Sequence, residues 1–203
     1  MRKLVLALPL LVTVPLMAQM PKDIPGTLDA KRVTSGTYSI DTDHTLVGWT
    51  VNHLGFNDYY GLFGGITGTL KLSTTAPATN SVTIDIPISG LTTTNAKLNG
   101  HLNSPDFFDV AKFPAAKFVS TRVVVKGMSA MISGNLTLHG VTKPIVLDAR
   151  FTGAGSGMMS KKETVGFHAT TTIKRSEFGM GGFVPFVSDA VPLKITAAFE
   201  KTG

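Results

Sequence analysis

The chain has 203 residues, 43% of them hydrophobic and 16% charged, a formal charge of +6, and no cysteine. Without cysteine there is no disulfide, no thiolate metal site and no lipidated-cysteine anchor. The basic residues are scattered, with no run longer than Lys161-Lys162, which excludes the clustered stripe that nucleic acid requires.

Met1-Arg2-Lys3 is a short basic start, Leu4 to Leu16 is almost wholly apolar, and Ala18 supplies a small residue behind it. This pattern predicts a signal peptide over residues 1–18 and export of the chain. The apolar run is shorter than the ~20 residues a spanning helix needs, and Pro9 and Pro15 interrupt it. Gln19 to Ser35 has no period and reads as a linker. Residues 36–203 are long enough for one domain with a substantial core.

From Gly36 onward, period-two alternation of apolar residues, which gives a strand one dry and one wet face, dominates. Val47, Trp49, Val51 and His53 alternate with Gly48, Thr50 and Asn52. Gly55 to Gly61 reads as a turn. Leu62, Ile66, Leu70 and Leu72 then share a parity over one long strand, and Val82, Ile84, Ile86 and Ile88 form the next. Asn95 to Asn103 loses the period and predicts a short helix, with a second helical turn at Pro105–Asp109.

Strands resume over Ala116–Lys126. In the stretch that follows, Ala130, Ile132, Leu136 and Leu138 face one way, and Ile145, Leu147, Ala149 and Phe151 match them across a Gly-containing turn at His139-Gly140. That combination predicts a hairpin. Gly153 to Gly157 reads as a Gly-rich turn. Val165 to Ile173 and Val191 to Phe199 give the last two strands. Eight or nine one-sided strands, several of roughly a dozen residues, predict an all-β antiparallel barrel. The predicted barrel has eight strands and a helical insertion near residues 95–109.

Small dry-face residues (Ala130, Gly134, Ala149, Ala169, Thr171 and Ala197) leave room inside, or else interleave with phenylalanines to fill a taper. The five histidines have no metal-site spacing, and Asp41, Asp43 and His44 suit a turn cap better than a metal. No nucleophile elbow, phosphate loop or dinucleotide fingerprint is present. No enzyme activity, metal or cofactor is expected.

Four segments carry a family resemblance: TYSIDTDHTLVGWTVNHLG (Thr37–Gly55), HLNSPDFFDVAKFPAAKF (His101–Phe118), LTLHGVTKPIVL (Leu136–Leu147) and GFHATTTIKRSEFGM (Gly166–Met180). In order and spacing they resemble the YceI-like family of bacterial proteins. The resemblance implies a lipocalin-like extended barrel that binds a polyisoprenoid lipid or isoprenoid quinone. It also implies a periplasmic setting and a homodimer, while the mild basicity of the chain suggests transient contact with an anionic membrane surface. Expected ligand-binding residues are Trp49, Val51, Phe63, Phe107, Phe108, Phe118, Leu136, Phe167 and Phe199, with His101 and Arg175 at the head group or mouth. The family commonly carries an Arg-Asp pair where this chain has Leu98-Asn99, and an Arg where it has Asn103, so no head-group role is assigned to those three. An enzyme acting on an apolar lipid, and a filled structural or stress-related barrel, are the alternatives.

Overall fold

The structure, a computed structural model, describes residues 23–202; the signal-peptide expectation for residues 1–18 lies outside them. Eight strands close into an antiparallel ring. They are β1 (Gly36–Ile40), β4 (Thr67–Leu72), β5 (Ser81–Pro87), β7 (Ala115–Lys126), β8 (Ser129–Leu138), β9 (Val141–Ser156), β10 (Glu163–Lys174) and β11 (Ala190–Lys201). Pairing of Tyr38 with Lys201 and Ile40 with Phe199 seals the ring between β1 and β11. Closure leaves the ring without a free edge, which suits strands of this length.

Three of the eight positions are filled by broken strands. β2 (Leu46–His53) continues β1 along β11, where Leu193 pairs with Trp49. β3 (Asn57–Phe63) continues into β4, and β6 (Leu91–Thr92) follows β5 through a 3-10 turn at Ile88–Gly90. Each break buries one residue almost completely: Thr45, Ile66 and Ile88. At the first break the Thr45 hydroxyl accepts from the Ala198 backbone N–H at 3.2 Å, standing in for a ladder partner.

Beyond the breaks β6 pairs with β3, and the chain between β6 and β7 carries the helical insertion. Helix α1 spans Ala96–Asn103, and Asn95 caps it by accepting from the Leu98 N–H at 3.1 Å. Pro105–Phe108 is a turn and not a second helix, with Asp109 at positive φ.

The β8–β9 hairpin forms as the sequence predicts. His139 and Gly140, both at positive φ, make its two-residue turn, and Leu138 pairs with Val141. Three other expectations are corrected. Asn57–Gly61 belongs to β3 and not to a turn. Leu62 faces outward while Phe63 is buried, because the break after Phe63 resets the parity that a continuous strand would keep. Gly153–Gly155 lies within β9 and not in a turn.

Residues 23–35 are not a free linker. Thr27 exchanges backbone hydrogen bonds with Ala154 at 3.0 and 2.9 Å, and a 3-10 turn follows at Ala30–Arg32. A Cβ at Gly155 would collide with the Pro25 carbonyl, so the glycine makes the seat for this segment.

Candidate functional site

The barrel interior is not filled by its own side chains. A lower chamber of about 420 Å³ is lined by inward residues of all eight ring strands, among them Phe118, Ala130, Ala149, Phe167, Ala169 and Phe199. An upper chamber of about 600 Å³ is lined by Trp49, Val51, Phe63, Ile173 and Val191, together with the helical insertion and the loop after β10. Both volumes lie in the range of about 300–1,000 Å³ common for ligand sites. The chambers meet at Val47, Ile86, Leu136 and Leu193, which line both.

The lower chamber is hollow for a reason visible in the register. Ala130 pairs with Ala149, and Ala149 with Ala169, so three adjacent strands place alanine at one level. Toward the strand ends beyond that row, Phe151, Phe167 and Phe199 pack edge to face, with centroids 5.9 and 6.2 Å apart. Ala30 and Val33, from the segment ahead of β1, complete the wall. A void lined so largely by apolar groups offers water few hydrogen-bond partners and accepts hydrocarbon instead.

The upper chamber is walled differently. Phe108 packs edge-on to Phe63 at 5.6 Å. Phe107 stacks on Phe183 at 6.1 Å, and the His101 ring meets the Phe107 edge at 5.0 Å. Phe183 both lines the chamber and is largely exposed, so the chamber reaches solvent there. His101 Nε2 lies 3.7 Å from the Asp106 carboxylate at this mouth.

Arg175 sits in a 3-10 turn and is only 7% exposed. Its guanidinium donates to four carbonyls: Nε to Ser188 at 2.9 Å, Nη1 to Met180 at 2.5 Å and Gly182 at 2.7 Å, and Nη2 to Val187 at 2.8 Å. Burial pulls its pKa below the ordinary value, opposed by the charge of Asp189. Asp189 in turn accepts from Ser176 N and Oγ at 2.8 and 2.7 Å, and these bonds hold its own pKa down. Arg175 thus organises residues 180–188, which form part of the upper wall.

Every residue expected to bind the ligand or to sit at its head group or mouth lines a chamber. Trp49, Val51, Phe63, Phe107, Phe108, His101 and Arg175 lie in the upper one, Phe118, Phe167 and Phe199 in the lower, and Leu136 between them. Tyr59 also lines the upper chamber, whereas Phe56 and Tyr60 are exposed. Sequence reasoning missed Leu98, Met180 and Val187 on the upper wall and Ala30 and Val33 on the lower. These five lie in irregular chain or on a helix, with no period to point to them. Asn99, where the family commonly has a charge, accepts from Thr93 N and Oγ1 at 2.8 and 2.7 Å and ties down the start of the insertion. Asp41 accepts from the backbone of Asp43 and His44, each at 3.2 Å, as a turn cap does. Among the described residues no three His, Asp or Glu side chains converge as a metal site.

A family model for the YceI-like domain matches residues 38–199, nearly the whole barrel. The chain belongs to the YceI-like domain family. It is 38% identical over 172 residues to a UPF0312 protein of Pseudomonas fluorescens strain SBW25, covering 83% of this chain and 88% of that one. Against a solved YceI protein of Campylobacter jejuni the identity is 30%, with a TM-score of 0.63 over 74% of this chain and 90% of that one. Burkholderia cenocepacia BcnA shares the fold at TM-score 0.70 and 21% identity, over 78% of this chain and 98% of that one. A polyisoprenoid binding domain from Saccharophagus degradans shares it at 0.61 and 17%, over 81% and 98%. In this YceI-like chain the shared barrel is the element that carries both chambers.

Proposed function

We propose that this protein is a periplasmic carrier that sequesters a long-chain polyisoprenoid lipid, isoprenoid quinones included, in its interior, and that it is not an enzyme. The observation that carries the reading is the pair of apolar chambers meeting at Val47, Ile86, Leu136 and Leu193. A compact ligand would use one chamber; a long, thin, branched hydrocarbon uses both. Burying one five-carbon isoprene unit is worth about 3–4 kcal/mol gross at ~0.8 per CH₂, and ordering the chain offsets much of that gain. The Saccharophagus degradans neighbour, a polyisoprenoid binding domain, supports the same ligand class. The basic and apolar start of the chain supports export to the periplasm.

The test is solvent extraction and mass spectrometry of protein purified without detergent, followed by uptake from vesicles containing prenyl lipids. A polyisoprenoid recovered near one per chain is expected. Repeated recovery of none, with no uptake, overturns the reading. Homodimerisation and passing contact with a membrane surface belong to the same proposal, checked by light scattering and by vesicle co-sedimentation.

A further inference from the structure

Charge is not spread evenly over the barrel. The segment ahead of β1 and the strand ends around the lower chamber, residues 23–37, 71–82, 122–130, 150–166 and 199–202, hold nine Lys and Arg against four Asp and Glu. The rest of the described chain holds seven against nine. The positive excess is therefore gathered at the lower end. Three of the four acids there are already engaged. Glu163 accepts from Thr34 and Tyr38, Glu200 lies 3.6 Å from Lys162, and Asp29 accepts from the Lys31 backbone N–H at 2.9 Å. Arg32 instead donates to neutral oxygens, the Pro25 carbonyl at 3.1 Å and Thr27 Oγ1 at 2.9 Å, so its charge is not cancelled. Lys31 and Lys161 are exposed.

Apolar side chains stand out among these cations. The β9–β10 turn is ordered by backbone bonds from Gly157 N to Lys162 at 2.8 Å and from Lys161 N to Gly157 at 3.0 Å. It holds up Met158 and Met159, the second of them 92% exposed. The segment ahead of β1 runs beside this turn, with Thr27 bridged to Ala154, and adds the exposed Ile24 and Leu28. Apolar side chains edged with lysine suit the boundary between lipid head groups and acyl chains, where the apolar groups enter and the ammonium groups meet phosphate. A second copy related by a two-fold axis would instead set like charge against like on this face. The lower chamber also reaches the surface here: Val125 shares the parity of buried Val123 and lines the chamber, yet is 44% exposed. A hydrocarbon tail leaving a bilayer at this end meets the apolar lining without crossing bulk water.

We propose that the lower end, led by Met158, Met159, Lys161 and Lys162 of the β9–β10 turn, docks this protein on a bilayer that contains anionic phospholipid, with the lower chamber as the entry for the lipid tail. The inference rests on the carrier reading above and names the face that meets the membrane.

Flotation of the full protein with vesicles of phosphatidylcholine, with and without phosphatidylglycerol, tests it. Binding should be at least about tenfold tighter with phosphatidylglycerol present and should weaken as salt is raised. Lys161→Glu with Lys162→Glu, and separately Met158→Ser with Met159→Ser, should each weaken it about tenfold or more. Both pairs lie on an exposed turn and should keep the wild-type Tm. Phe56→Ser, exposed but away from this end, should change nothing. In the wild type, peroxide oxidation of Met159, read by mass spectrometry, should slow when the anionic vesicles are added; this reports the face even if a variant fails to fold. Equal binding to neutral vesicles, undiminished binding by both turn variants, or unchanged oxidation of Met159 on bound vesicles overturns the proposal. So does a dimer that the methionine variant converts to monomer with vesicle binding intact, which would make the face a contact between copies. Recovery of a polyisoprenoid with no vesicle binding removes the docking face and leaves the carrier reading; vesicle binding through this turn with no polyisoprenoid ever recovered does the reverse.

Discussion

The phenol of Tyr38 and the carboxylate of Glu163, 125 residues apart in the chain, meet at 2.6 Å beneath the lower chamber. Tyr38 has no exposed surface, and its single proton is shared between Glu163 Oε1 and the Thr34 carbonyl, also at 2.6 Å. Glu163 further accepts from Thr34 N at 2.8 Å and Thr34 Oγ1 at 2.6 Å, and Lys201 lies 3.8 Å away. One carboxylate therefore fastens the segment ahead of β1, with Ala30 and Val33, across the end of the lower chamber.

This clasp predicts an acid-sensitive strap. Burial alone would raise the pKa of Glu163, but the bonds from Thr34 and Tyr38 outweigh it and the net shift is downward. A depressed folded-state pKa means that the contribution is complete above the ordinary carboxylate range and is lost as pH falls through the lower folded value. Wild-type Tm should fall with acid more steeply than that of Glu163→Gln. At neutral pH that variant should be less stable by about 2–3 kcal/mol, the loss of charge-assisted bonds to a buried hydroxyl. Hydrogen exchange at Thr27 and Ala154 reports whether the strap itself lets go. Burial, then Glu163, pushes the Tyr38 phenol from 10.0 up to about 12. Its share of stability is therefore full below the ordinary value and disappears as pH rises toward the higher one, which phenolate absorbance can follow.

The alanine row makes the capacity of the lower chamber adjustable. Ala149 pairs with alanine on both sides, at Ala130 and Ala169. Ala149→Leu adds volume where the interior is empty, so it should cost less than the 1–3 kcal/mol typical of overpacking a filled core (about 1 kcal/mol or less). If the tail occupies this level, excluding about two methylenes should lower the affinity of the longest isoprenoids roughly tenfold and spare shorter ones. A tail-length series measured on both proteins checks this.

Much of this was legible in the sequence, and the rest fails for identifiable reasons. Period two marks inward residues wherever a strand runs unbroken, so Phe118, Leu136, Phe167 and Phe199 are readable directly. His139-Gly140 is readable because its turn needs two positive φ values. The breaks are not. Nothing local distinguishes Thr45, Ile66 or Ile88 as points where strands stop and parity resets, because the cause is the curvature of the whole ring. Leu62 is misread on that account. The strap is illegible for another reason: its partners, Ala154 and Glu163, lie more than a hundred residues away, and only the closed barrel brings them near.

Gly61 shows how a missing side chain can be structural. Its space is occupied by the indole of Trp49. Gly61→Ala should push the ring off its seat and destabilise the barrel by about 1–3 kcal/mol, as overpacking does. Because the chain has one tryptophan, displacement should appear as a red shift and broadening of its emission. An unchanged spectrum with unchanged Tm would show that the ring is not wedged against this glycine.

Arg175 gives the sharpest contrast between charge and geometry. Among the described residues no carboxylate lies at hydrogen-bonding distance from it, and its role is to satisfy the carbonyls of Met180, Gly182, Val187 and Ser188 at once. Arg175→Met keeps bulk but orphans all four, and should cost about 3 kcal/mol or more. Arg175→Lys preserves the charge yet should recover little, because an ammonium at the end of a flexible stem cannot reproduce a planar fork with donors in fixed directions. Thermal unfolding of the two variants, with limited proteolysis of residues 180–188, measures this. Full rescue by lysine would mean that the positive charge, and not the fork, holds the loop against the upper chamber.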